Sequence, residues 1–152
     1  MAIANAIWAA CHNGEYVPEK VYFIVDKNLD SNYIDNTTQW VKKILNAYGI
    51  DTPIIETFKV DENDFVEIEE TFMNKISYLK QEGQVAVDMT PGRKYVAAIS
   101  MAAGLHHKVD HIYYLYLKES KYKDRPYPLT PYLKQNLIDI KQEGICCNFA
   151  EE

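Results

Sequence analysis

The feature that most constrains this chain is a regular alternation of short apolar runs with longer segments of helical periodicity. The apolar runs are Lys20 to Asp26, Pro53 to Phe58, Val85 to Asp88 and Asp110 to Leu117. Brief apolar runs closed by turn residues are typical of strands buried in a parallel sheet. The alternation therefore predicts an α/β fold: a doubly wound, mostly parallel sheet with helices on both faces.

Four helical segments accompany these strands. They are Ala2 to His12, Asp35 to Tyr48, Asn63 to Gln81 and the alanine-rich stretch that runs to His107. Gly14, Gly49 and Gly83 follow the first three, and we expect Gly14 to be a left-handed cap. The polar stretch from Asn28 to Asn36 is predicted to be a loop over the carboxyl edge of the sheet.

The two ends of the chain are less regular. The chain opens in a helix, whereas an α/β domain usually opens in a strand, so we expect the usual first strand to be missing through a late start or to be replaced. Ile145 to Phe149 is one candidate replacement. Lys121 to Tyr132 predicts an ordered loop, and Leu133 to Ile140 fits either helix or strand. We predict one domain over residues 1–152, in which the 118–152 tail packs on the domain or extends it.

Composition limits the partners. The 152 residues suit a single core, and a net charge of −6 argues against binding a long nucleic acid or an anionic membrane. The three cysteines, Cys11, Cys146 and Cys147, have no CxxC spacing and resemble reduced thiols. A cytoplasmic location follows for this chain, although a membrane-anchored parent protein stays open.

The central stretch is Val85 to His107, in which an apolar strand ends at Asp88 and a turn leads into the alanine-rich helix. Pro91 suits a turn, and Gly92 permits a tight backbone and close approach by a ligand. Arg93 and Lys94 oppose the dipole of the helix that they begin, which favours a compensating anion such as a phosphate. The alternative is that both are solvated first-turn residues.

Several other sites are absent from the sequence. There is no GxGxxG fingerprint, Walker A loop, GxSxG elbow or zinc spacing, so no metal, cofactor or catalytic residue is assigned. His106, His107 and His111 suit a helix end better than a metal site.

Asp88-Met89-Thr90-Pro91-Gly92-Arg93-Lys94 resembles the D-x-T-x-G-x-K signature of CARF domains, the CRISPR-associated Rossmann-fold domains that sense cyclic oligoadenylates. The resemblance covers most of the chain. Two departures are Pro91, where many relatives have glycine, and the missing first strand with the loop that follows it.

The resemblance implies a sensor of type III CRISPR antiviral defence that binds cyclic tetra-adenylate at a homodimer interface. Its ligand-binding residues would be Asp88, Thr90, Pro91, Gly92, Arg93, Lys94, Asn5, Arg125 and Tyr127. Neither a HEPN nor a PD-(D/E)xK nuclease site is present, so any effector domain or partner lies outside this chain. The alternatives are a metal-independent ring nuclease that degrades the same ligand, and an α/β domain that binds an ordinary nucleotide.

Overall fold

The computed structural model describes residues 1–143, in which four helices and five strands are arranged as an α/β fold, as the sequence predicts. In chain order they are α1 (Ala2–Asn13), β1 (Lys20–Asp26), α2 (Ser31–Ala47), β2 (Ile54–Val60), α3 (Phe65–Lys80), β3 (Ala86–Asp88), α4 (Lys94–His106), β4 (His111–Leu117) and β5 (Gln135–Asp139). Three short 3₁₀ turns, Ser120–Tyr122, Tyr127–Leu129 and Tyr132–Lys134, connect β4 to β5.

The described strands form two sheets rather than one. Strands β1 and β2 pair in parallel along their whole length, from Lys20 opposite Ile54 to Asp26 opposite Val60. In the second sheet β4 is central, parallel to β3 on one side and antiparallel to β5 on the other. Within residues 1–143 no backbone pairing joins β1 to β3.

The apolar faces of the helices form two main clusters. One lies between α1, β1 and α2 around Val41 and Leu45, both fully buried. The other lies between α3, α4, β3 and β4 around Val109 and Ile112. The small residues of α4 allow close packing, because a Cβ added at Gly104 would lie 3.3 Å from side-chain carbons of Val109 and Ile112.

Two local predictions were wrong. The loop predicted from Asn28 to Asn36 is helical from Ser31, because the Asp30 carboxylate accepts the Asn32 N–H at 3.0 Å and caps α2. Gly14 is not a left-handed cap, since its φ is −87°, and the positive φ of 52° falls on Glu15 instead.

The tail extends the second sheet. Of the two readings for Leu133 to Ile140, strand is the one observed, in β5. A short antiparallel edge strand can be reached by a loop without a crossover helix, which is why no helical period precedes β5. The candidate replacement strand, Ile145 to Phe149, lies outside the described residues.

Candidate ligand site at the start of helix α4

The turn after β3 is held by side-chain hydrogen bonds. The Asp88 carboxylate accepts the Thr90 N–H at 2.9 Å, an arrangement that aspartate favours in turns. The Thr90 hydroxyl accepts the Leu115 N–H at 2.8 Å, beyond the point where β3 stops pairing with β4. Both residues therefore fix the turn against the sheet, whatever else they bind.

The Asp88 carboxyl is a weaker acid than an aspartate in water. Burial raises the pKa of its carboxyl from the usual 3.8 to about 6, while the hydroxyl and N–H of Thr90 oppose part of that rise. A carboxyl with a pKa of about 6 is partly protonated near neutral pH, so it can accept or donate a proton there.

The first turn of α4 is open to a ligand. Gly92 has a φ of +97°, which lets the chain turn sharply into the helix, and Arg93 occupies the N-cap position. No side chain caps α4 and its first turn carries no acid, whereas α2 and α3 are capped by Asp30 and Asp64. The first amide groups of α4 are thus left for water or for an anion.

The two cations at this helix end differ in their surroundings. The Arg93 guanidinium lies 2.9 Å from a Glu62 carboxylate oxygen, although 65% of the Arg93 side chain stays exposed. Lys94 is exposed and makes no ion pair within residues 1–143. Glu62 therefore balances part of the positive charge for which the sequence predicted a bound anion.

Glu62 is the residue that sequence reasoning missed. Its N–H donates to Asp26 at 3.0 Å, and its carbonyl accepts the Tyr95 hydroxyl at 2.7 Å. It thereby connects the end of β1 to the first turn of α4. The available signal was the acidic run that begins at Asp61, directly after β2, because the carboxyl ends of parallel strands lie at one edge.

Asn5, Arg125 and Tyr127 form a separate cluster. The buried Asn5 amide donates to the Arg125 carbonyl at 2.8 Å and accepts the Tyr127 N–H at 2.9 Å, which fastens the tail to α1. Tyr127 is buried, and its hydroxyl oxygen accepts a hydrogen bond from the Asn13 side-chain amide. The Arg125 guanidinium lies over the Tyr122 ring. Among the described residues, no hydrogen bond or ion pair connects this cluster to the Asp88–Lys94 turn.

A cavity of about 1170 Å³ lies beside the turn, between β1 and β3. Of the nine predicted ligand-binding residues, Asp88, Pro91, Gly92 and Arg93 line it. Thr90 and Lys94 belong to the same turn but do not line the cavity, and neither do Asn5, Arg125 and Tyr127. The structure thus brings six of the nine residues together at one helix end.

A scan against models of known protein families found no match, and a search of curated proteins found none either. In the part of the chain that the structure describes, no helix has the length and apolar character needed to cross a membrane. Residues 1–143 also contain no group of three or more His, Cys, Asp and Glu side chains placed to hold a metal ion.

Proposed function

We propose that this protein binds a cyclic oligoadenylate, with the tetra-adenylate ring preferred, as the sensory domain of an antiviral type III CRISPR effector. The observation that carries the proposal is the D-x-T-x-G-x-K turn, Asp88 to Lys94, at the uncapped start of α4. A ring of phosphodiesters needs N–H donors and cations in one place, and this turn supplies both. Because a ring of four adenylates can be two-fold symmetric, two copies of the chain would share it in a homodimer.

We also propose that the two sheets are parts of one doubly wound, Rossmann-like arrangement. The support is the alternation of strands and helices, together with the contact of Glu62 with both Asp26 and Arg93. In such folds ligands bind beyond the carboxyl ends of the strands. Asp26 and Asp88 end β1 and β3, so the Asp88–Lys94 turn would lie at that edge.

The ion pair with Glu62 is compatible with ligand binding. A guanidinium has five N–H donors, and one contact with a carboxylate leaves most of them free for phosphate. Lys94 adds a second positive charge that no acidic side chain of the described residues neutralises. A local cationic site on a chain of net charge −6 suits a small anion better than a long polyanion.

Thermal unfolding and isothermal titration with cyclic tetra-adenylate test the proposal, with AMP, ADP and NAD as comparison ligands. The ring should raise the melting temperature and the ordinary nucleotides should not, because a ligand that binds only the folded state stabilises it. Lys94→Ala should weaken binding roughly 10- to 100-fold, the effect of losing about 1.5–3 kcal/mol from one charged hydrogen bond. Lys42→Ala, on the exposed side of α2, is the matched control and should bind as the unmodified protein does.

Glu62→Gln gives a second, opposite expectation. Removing the carboxylate charge frees Arg93 for the ligand, so binding of the ring should tighten. Equal affinity in Lys94→Ala and the unmodified protein would place the site elsewhere. Stabilisation by a mononucleotide and not by the ring would favour the ordinary nucleotide-binding alternative.

A ring nuclease is the second candidate, and the pKa of Asp88 is the observation that favours it. With a pKa of about 6 and a place in the lining of the cavity, this carboxyl could accept the proton of an attacking ribose 2′-hydroxyl. Chromatography of the ring after incubation with protein and EDTA tests this. If the unmodified protein forms linear product and Asp88→Asn does not, although it still binds the ring, the protein is a ring nuclease. If the ring stays intact with the unmodified protein, the sensor function is favoured.

A further inference from the structure

Two short segments of the described chain expose several apolar side chains close together in sequence. In the tail, Leu129, Tyr132 and Leu133 are 68%, 77% and 74% exposed. At the start of α3, Phe65 and Val66 are 56% and 63% exposed. A single exposed apolar side chain needs no explanation, but a group of them is typical of a surface that binds another protein.

The apolar side chains of α3 lie among carboxylates. Residues 61–70 contain six acidic side chains and no basic one, a formal charge of −6. Glu69 and Glu70 are exposed and make no ion pair with the described residues. Residues four apart share a helix face, so Glu69 lies one turn from Phe65 and Glu70 one turn from Val66. We call these four side chains the acidic patch.

The apolar side chains of the tail lie among cations instead. Residues 118–134 contain five Lys and Arg side chains and two acidic ones, a formal charge of +3 on a chain whose net charge is −6. Glu119 binds Lys121 and Lys134, whereas Lys118 is exposed and makes no ion pair with the described residues. The Lys118 N–H donates to the Lys134 carbonyl at 2.9 Å, so Lys118 lies beside the segment that carries Leu133. We call Lys118, Leu129, Tyr132 and Leu133 the basic patch.

The acidic patch borders the Asp88–Lys94 turn. The Phe65 ring packs edge-on against the Tyr95 ring, with centroids 4.9 Å apart, and Tyr95 directly follows the turn. The Tyr95 hydroxyl donates to the Glu62 carbonyl at 2.7 Å, and the Glu62 carboxylate binds Arg93. These contacts fix the start of α3 against the start of α4, so the acidic patch has a defined position next to the turn.

The basic patch lies where β4 ends, at the same edge of the molecule. Leu117, the last residue of β4, is opposite Gln135, the first residue of β5. The Gln135 side-chain amide donates to the Thr130 carbonyl at 3.1 Å, which holds the segment with Leu129 at this end of the sheet. Strands β3 and β4 are parallel, so the end of β4 and the turn after β3 lie at one edge. That edge therefore presents both patches.

We propose that a second copy of this chain docks on this edge, with the acidic patch of each copy against the basic patch of the other. The opposite formal charges argue for this occupant, since each segment carries the charge that the other one lacks. A two-fold axis satisfies both contacts at once, because when residue i of one copy contacts residue j of the other, j also contacts i. The aromatic and aliphatic side chains would fill the centre of each contact, and the charged groups its rim.

A different two-fold arrangement, with each patch against its own counterpart, is opposed by charge. It would place two segments of −6, or two segments of +3, against each other, and like charges in contact cost stability. Within one chain, no hydrogen bond or ion pair of the described residues joins the two patches. Both patches are therefore available to a second copy.

The docking gives an interface to the homodimer of the proposed function. Because the Asp88–Lys94 turn adjoins the acidic patch and lies at the same edge as the basic patch, two copies docked in this way bring their turns to the interface. The placement of a ring ligand there rests on the proposed function, whereas the docking itself does not. Dimer formation and ring binding can therefore be tested separately.

Sedimentation velocity of the full chain, over a wide concentration range at low and at high salt, tests the proposal. The chain should form a dimer that weakens as salt rises, since exposed charges are screened. Tyr132→Ser and Val66→Ser should each raise the dissociation constant about 10-fold or more, because apolar side chains at the centre of an interface carry most of the binding energy. Tyr78→Ser, which alters a 49% exposed side chain near the other end of α3, is the matched control and should leave the dimer unchanged.

Charge reversal identifies which patch contacts which. Glu70→Lys places positive charge on both patches, and Lys118→Glu places negative charge on both, so each variant alone should dissociate. In a mixture of the two variants, every contact again joins opposite charges, and a heterodimer should form. Native mass spectrometry distinguishes it from the two homodimers. A mixture that stays monomeric would contradict the reciprocal contact.

Three further results would overturn the proposal. One is a chain that stays monomeric at about 100 μM, because specific interfaces of standard size bind at micromolar concentrations or below. Another is a dimer that neither Tyr132→Ser nor Val66→Ser weakens, which would place the interface elsewhere. The third is a species that grows beyond the dimer with concentration, as a head-to-tail contact without closure would.

Titration with cyclic tetra-adenylate separates this inference from the proposed function. A dimer that the two serine variants disrupt but that does not bind the ring would contradict the proposed function and support the interface. Ring binding by a chain that stays monomeric would do the reverse.

Discussion

Replacing Asp88 with asparagine should remove a loss of stability that the unmodified protein undergoes as pH rises. Burial raises the pKa of Asp88 from 3.8 to about 6, against the opposing Thr90 hydroxyl and N–H. Asparagine keeps an oxygen that can accept the Thr90 N–H, and it cannot ionise. The variant therefore isolates the cost of ionising this one group inside the folded protein.

The sign follows from proton linkage. Between pH 3.8 and about 6 the folded state holds the Asp88 proton more tightly than the unfolded chain does, so the free energy of unfolding falls as pH rises. The stabilising contribution is complete below pH 3.8 and is lost as pH passes through about 6. The total is about 3 kcal/mol at most, because each unit of pKa is worth about 1.4 kcal/mol and Asp88 retains some contact with water.

Urea denaturation of both proteins from pH 3.5 to pH 8 measures this contribution. The difference in unfolding free energy, unmodified protein minus Asp88→Asn, should fall by 2–3 kcal/mol over that range, roughly the total above. A difference that is constant with pH, or that rises with it, would refute the reasoning.

Asp110 provides a control of opposite sign. Its partial burial raises the pKa, but the Val85 N–H and the Lys80 ammonium outweigh burial and hold it below the usual value of 3.8. The stability that Asp110 contributes is therefore present above pH 3.8 and lost at lower pH. In a urea series extended to more acidic pH, the difference between the unmodified protein and Asp110→Asn should rise with pH up to about 3.8 and then stay nearly constant. The difference for Asp88→Asn should instead fall between pH 3.8 and about 6.

Three further substitutions test local structure. Thr90→Val should cost about 1–3 kcal/mol of unfolding free energy, measured in urea, because the part-buried Leu115 N–H loses its acceptor. Asn5→Ala should increase trypsin cleavage of the tail several-fold, since the amide that holds the Tyr127 N–H at 2.9 Å is removed. Gly92→Ala should lower stability by about 1–2 kcal/mol through its φ of +97°, with its nearest new contact, at 3.6 Å, causing no clash.

Matched variants separate these causes from general disruption. Thr90→Ser keeps the hydroxyl and should retain most of the stability that Thr90→Val loses. Gly83→Ala meets nothing within 4 Å and has no positive φ, so a loss equal to that of Gly92→Ala would contradict the backbone argument. Unchanged proteolysis in Asn5→Ala would show that the hydrophobic contacts of Tyr127 hold the tail without the amide.

The elements of this fold were predictable because their signals are local. The helical spacing of Ile68, Phe72 and Ile76 indicates a buried face, although Phe65, at the start of the same pattern, is exposed. The turn residues after Asp88 indicate where β3 ends. Apolar periodicity does not report which edge of a strand is paired. The division into two sheets was therefore beyond the sequence, as was the early start of α2, which depends on Asp30 finding the Asn32 N–H.

The candidate site likewise combines local features, which the sequence predicts, with a long-range contact, which it does not. Position was predictable, since Thr90, Gly92 and Lys94 follow a strand and begin a helix within a few residues. The partner of Arg93 was not, because Glu62 is 31 residues away and meets it only through the fold. With Arg93 already balanced, the exposed Lys94 and the uncapped amides of α4 become the strongest remaining attraction for an anion. Lys94→Ala is consequently a sharper test of ligand binding than Arg93→Ala, whose effect would mix lost ligand contacts with a Glu62 carboxylate left unpaired.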